Sequence, residues 1–198
     1  PGTSHGERIP CLNLDKGAQQ FEFSSTVNGI PNYATKSNYV LNKRYHLEII
    51  QKQIRGTGKL IYSIVIDGAV IHSVENKSPK RFDKVYVFAN NPWHDSFEPY
   101  GKLSNLKVTN LNHPNAKILA IEKDNFAQIE KFEGEVELTK GNKVNKVFNN
   151  WGKEFIIKMD IEMTADFTEN WLNVFRLTNT DGHCCTLGDR IPALFVNK

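Results

Sequence analysis

The sequence predicts an all-β chain folded as a two-sheet antiparallel β-sandwich or jelly roll. Three observations predict it. Short runs of alternating or β-branched residues recur about every 8–15 residues, Gly, Asn and Pro punctuate them, and helical periodicity is scarce.

The elements follow in order. Phe21-Glu22-Phe23-Ser24-Ser25 alternates apolar and polar, and Tyr45-His46-Leu47-Glu48-Ile49-Ile50-Gln51 does so with one slip. Lys59 to Ile66 is rich in β-branched residues and reaches Asp67-Gly68, after which Ala69-Val70-Ile71-His72-Ser73-Val74 continues at once. Asp and Gly tolerate the positive φ angles of a type I′ turn, so this pair reads as a hairpin. Lys84 to Ala89 and Leu103 to Val108 are further strands. Asp124 to Phe132 could form a turn or two of helix, whereas Glu135-Val136-Glu137-Leu138 after Gly134 argues strand. Phe155 to Met163 and Trp171 to Leu177 alternate clearly, and Arg190 to Val196 is a strand that Pro192 confines to an edge or a strand start.

The two ends of the chain repeat each other. His5-Gly6-Glu7-Arg8-Ile9-Pro10-Cys11-Leu12-Asn13-Leu14-Asp15-Lys16 matches Leu187-Gly188-Asp189-Arg190-Ile191-Pro192-Ala193-Leu194-Phe195-Val196-Asn197-Lys198 at six of twelve positions, 182 residues apart. Chance matching at roughly one position in fifteen makes this unexpected. The reading that follows is a circularly permuted module, one period of a repeat cut out of phase. A single sandwich over 1–198 would then be built from 1–111, the closing half of a module, and 112–198, the opening half. The linker-like stretch from Thr109 to Lys117 falls where that junction is needed.

Composition narrows the partners. Net charge is only +3 and the basic residues are scattered, the densest group being Lys77, Lys80, Arg81 and Lys84. A nucleic-acid binder would gather them on one element, so no nucleic-acid partner is expected. No apolar run approaches the length of a membrane span, so no membrane partner is expected either. The three cysteines show no zinc spacing. In an oxidising compartment Cys11 would form a disulfide with Cys184 or Cys185, leaving one thiol over. Asn76-Lys77-Ser78 is a glycosylation sequon weakened by Pro79. These features lean towards a secreted, extracellular protein. None of the six histidines stands in a metalloprotease-type motif, and no nucleophile elbow or phosphate-binding loop is present, so no catalysis is expected.

Several motifs together carry a resemblance. They are Trp151-Gly152-Lys153-Glu154-Phe155 leading to Asp160, Trp171 to Thr178, Gly188-Asp189-Arg190-Ile191-Pro192-Ala193, Tyr62 to Gly68, and Leu103-Ser104-Asn105-Leu106-Lys107-Val108. Taken in permuted order, they resemble laminin-G-like domains of the concanavalin A-like lectin fold, over nearly the whole chain. The resemblance implies calcium at the sandwich rim, for which Asp181 and Asp189 are the best-placed carboxylates, since calcium favours oxygen ligands. It also draws attention to Glu48 and Glu162, on strands where glycoside hydrolases of this fold class keep paired carboxylates. Galectins are the nearest rival, because Trp151-Gly152-Lys153-Glu154 looks like their Trp-Gly-x-Glu site. The upstream His-x-Asn-Pro-Arg pattern is missing, so Trp151 reads as the buried start of a core strand.

A ligand site is suggested by the loop Asn90-Asn91-Pro92-Trp93-His94-Asp95-Ser96-Phe97-Glu98-Pro99-Tyr100. An aromatic face stacks on a sugar's C–H face while amides and carboxylates take hydroxyls, which singles out Asn91, Trp93, His94 and Asp95. The functional expectation is a non-enzymatic extracellular binding or adhesion module, lectin-like, with a glycan or extracellular protein as partner. The alternative is a structural, self-associating repeat unit that exchanges strands between chains.

Overall fold

A computed structural model describes residues 10–15, 19–89, 99–111, 128–138, 144–165 and 172–179. Among them the chain is all-β, with thirteen strands in two antiparallel sheets and no helix. It is a two-sheet β-sandwich. The first sheet runs β11 (Val144–Trp151), β7 (Phe82–Ala89), β13 (Leu172–Thr178), β1 (Cys11–Asp15), β2 (Gln20–Val27), β3 (Ile30–Asn38). The second runs β10 (Glu135–Glu137), β8 (Gly101–Asn110), β12 (Phe155–Met163), β4 (Arg44–Gln53), β5 (Leu60–Ile66), β6 (Ala69–Glu75), with β9 (Gln128–Lys131) also on β8.

Alternation decides which side of each strand is buried. Along β12 the odd positions Phe155, Ile157, Met159, Ile161 and Met163 are buried, and the even ones face outwards. From β4 come Tyr45, Leu47 and Ile49, from β5 Tyr62 and Ile64, and from the opposite sheet Leu12, Leu14, Phe21, Phe23, Val85, Val87 and Phe175. Each such side chain contributes about 1.5–3 kcal/mol of burial. Trp151 is in this core, edge-on to Phe148 at 5.2 Å and tilted against Phe155 at 5.6 Å; it is buried as the sequence predicts, but it ends β11 instead of starting a strand.

Two hairpins share one turn chemistry. Ile66 pairs with Ala69 across Asp67-Gly68, whose φ angles of 50° and 80° are those of the expected type I′ turn. Val27 pairs with Ile30 across Asn28-Gly29, with φ of 54° and 77°; the sequence reading overlooked this Asn-Gly signal and hence β3. That second turn docks on the other sheet. Asn28 Nδ2 donates to the Glu75 carbonyl (2.9 Å), and its Oδ1 accepts from the Lys77 N–H (2.6 Å).

In the segment expected to allow a helical turn, Asp124 to Phe132, residues 128–131 are strand and 124–127 lie outside the described residues. β9 pairs Lys131 with Lys107 and Gln128 with Asn110, because the β8 edge offers unpaired backbone groups there. β8 also runs on to Asn110, two residues into the expected linker; residues 112–117 lie outside the described residues.

Asn76 is only 2% exposed. Its Oδ1 accepts from the N–H groups of Asn28 (3.0 Å) and Ser78 (3.2 Å), and its Nδ2 donates to Gln51 Oε1 (2.8 Å). The sequon is therefore closed in the folded chain, since its amide is an internal strut.

Candidate functional site

The outer face of the second sheet carries the densest polar arrangement among the described residues. It is built by the side of β12, β4 and β8 that the core does not use. Pairing sets Asp160 opposite His46, Lys158 opposite Glu48 and Glu162 opposite Arg44. On the other flank, Asp160 pairs with Ser104, and the register then shifts between Lys158 and Asp160. This bulge falls at Asn105, whose φ of 52° is left-handed, a conformation that Asn tolerates better than most residues. The irregularity turns the Asn105 amide onto the neighbouring strand.

The side chains then join in a line. Asn105 Nδ2 donates to Asp160 Oδ2 at 2.6 Å, and His46 Nδ1 meets Asp160 Oδ1 at 2.6 Å. His46 Nε2 lies 3.4 Å from Glu48 Oε1, and Glu48 Oε2 takes Lys158 Nζ at 2.9 Å. Asp160 and Glu48 are mostly covered, with side chains 17% and 18% exposed, whereas the imidazole is 44% exposed. Burial alone would raise the Asp160 pKa. The hydrogen bonds from Asn105 and His46, with the charges of His46 and Arg44, outweigh it and hold the carboxyl below its ordinary value. Arg44 continues the line, 3.5 Å from Glu162 and 3.4 Å from Glu135.

This geometry limits the chemistry. The two carboxylates sit on opposite nitrogens of one ring, so they do not converge on a common ion. Among the described residues no three His, Cys, Asp or Glu side chains form a metal site. Glu48 and Glu162, the pair that the sequence brought forward, do share the face. They are two pairing rows apart, four residues along the strands or about 13 Å. Glycoside hydrolases place their carboxyls about 5–9.5 Å apart.

A cavity of about 20 Å³ opens between the sheets beside Ser25, Thr26, Gln51, Asn76, Trp151 and Phe155. It has room for about one water molecule, not for a ligand.

The other residues expected to act lie elsewhere. Asn91, Trp93, His94 and Asp95 fall in 90–98, and Asp181, Asp189, Cys184 and Cys185 fall in 180–198; both stretches are outside the described residues. Cys11 is described. It is buried at the start of β1, opposite Arg176 on β13 and Ser24 on β2. Sequence reasoning missed the Asn105–Asp160–His46 line. Its one signal was that His46 and Asp160 occupy polar positions of two alternating strands.

No known protein family, curated protein or solved structure matches the chain.

Proposed function

We propose that the protein is a non-catalytic, secreted binding module of lectin-like type, and that the outer face of β8, β12 and β4 holds a hydroxyl-rich ligand such as a glycan. The observation that carries this reading is the line Asn105–Asp160–His46–Glu48–Lys158. Fixed carboxylates that accept from hydroxyls and an amide that donates to them do so with little ordering cost on this outer face, because each side chain is already held by its neighbour. Binding is favoured over catalysis because both imidazole nitrogens face carboxylates and Glu48 is engaged by Lys158. A general base would instead need a nitrogen or oxygen turned towards a reacting group.

A glycan array with the purified chain tests this. Binding should appear on at least one glycan class and be lost in both His46→Ala and Asp160→Asn, with thermal unfolding shifted by only a few degrees. Binding that survives both substitutions but is lost in Trp93→Ala would move the site to the 90–98 loop. A folded protein that retains no glycan would refute the reading.

A further inference from the structure

Strand β1 occupies a gap between β13 and β2, and runs antiparallel to both. Leu12 and Leu14 enter the core from it, fully buried, and Cys11 is buried opposite Ser24 and Arg176. Residues 16–19 tether the strand to β2. The sequence repeat supplies a second strand with the same pattern. At the 182-residue offset Leu194 answers to Leu12, Val196 to Leu14, Ala193 to Cys11 and Pro192 to Pro10. This copy is tethered from the other side, because residues 179–192 lead to it from the end of β13. A hairpin from β13 would deliver it antiparallel to β13, which is the direction β1 already takes. Both tethers therefore present equivalent side chains to one gap in one orientation.

We infer that the gap between β13 and β2 is a strand-acceptor site with two alternative occupants from the same chain: residues 11–15, which fill it in this structure, and residues 193–197, which fill it when the first copy is withdrawn. Two features make the first copy the stronger occupant. Its link is four residues against fourteen, which favours it by roughly sixfold in loop closure. Phe195 stands where Asn13 does, opposite the buried Glu22, and a large ring beside a buried carboxylate is the poorer fit. An alternative occupant tethered to β13 lets the sheet stay closed while residues 11–15 leave it.

The test is a double-mutant cycle on the full chain, with Cys184→Ser and Cys185→Ser in every variant so that Cys11 is the only thiol. One variant carries Leu12→Asp and Leu14→Asp, a second Leu194→Asp and Val196→Asp, and a third all four. The first should still unfold cooperatively as a monomer, with Cys11 labelled by a thiol reagent at least about tenfold faster than in the unsubstituted background. The second should match that background in melting temperature and in Cys11 protection. The third should lose the cooperative transition. A third variant as stable as the first, whether both are folded or both unfolded, overturns the inference. So does a second variant that is itself unfolded, a first variant whose Cys11 stays protected, or one that folds only as a dimer or larger species.

Discussion

Replacing Asn76 by Ala removes the strut that joins the two sheets at the β2–β3 turn. The Gln51 carbonyl, 2.8 Å away and on a side chain only 4% exposed, loses its donor, and the N–H groups of Asn28 and Ser78 lose their shared acceptor. An orphaned buried acceptor costs about 1–3 kcal/mol, and each part-buried hydrogen bond about 0.5–1 kcal/mol. The expected loss is about 2–5 kcal/mol. The lower end applies if water in the adjoining 20 Å³ cavity reaches Gln51. At this chain length that is a fall of roughly 4–20 °C in melting temperature, readable by circular dichroism with a urea titration alongside. Asn76→Asp is the sharper comparison. Asp keeps the acceptor for both N–H groups but sets a carboxylate oxygen against Gln51 Oε1. Gln51 cannot rotate to help without abandoning the Lys153 carbonyl, to which its Nε2 donates at 2.7 Å. Asn76→Asp should therefore cost at least as much as Asn76→Ala. An Asp variant within about 0.5 kcal/mol of the parent would refute the bridging role and reduce Asn76 to a turn residue.

Other outcomes follow from the same structure. Asp160 has a depressed folded-state pKa, so its stabilisation is present above the ordinary carboxyl pKa of 3.8 and is lost as pH falls through the lower folded value. The stability gap between the parent and Asp160→Asn should hold at pH 5 and above and close below about pH 4, measured by urea unfolding at each pH. Gly101→Ala would bring a Cβ within 2.6 Å of the Glu162 carbonyl oxygen, forcing β8 from β12 at a cost of about 1–3 kcal/mol in a denaturant midpoint. Trp151→Ala, which empties the space between Phe148 and Phe155, should cost about 3–5 kcal/mol; a loss below 1 kcal/mol would show that the ring is not core.

What the sequence made legible was whatever local chemistry decides. Asp67-Gly68 marked its hairpin because the dipeptide selects the turn, and Phe155 to Met163 marked β12 because one face is core and the other solvent. β3 was illegible by periodicity, since an edge strand reading Ile-Pro-Asn-Tyr-Ala-Thr-Lys-Ser-Asn has little apolar alternation. The contact between His46 and Asp160 spans 114 residues. It depends on which strands become neighbours, and its link to Asn105 depends on a bulge that no local pattern encodes. Asn76 shows the converse: its triplet reads as a surface signal, but its neighbours in space are Asn28 and Gln51, which only the packed sandwich brings to it.

The strict alternation of β12 also constrains how this chain can change over generations. Five of its nine side chains fill the core, and Lys158, Asp160 and Glu162 stand on the other face. Deleting or inserting one residue near its middle would invert that parity for the rest of the strand, turning carboxylates inwards and methionine or isoleucine outwards. Paired on both sides, by β4 and β8, the strand has no free edge along which to slip. Selection against unfolding thus removes single-residue length changes here before they can alter the polar face, whereas individual outward positions stay open to substitution. The polar chemistry of this face can drift residue by residue, while the spacing between its side chains is inherited with the core.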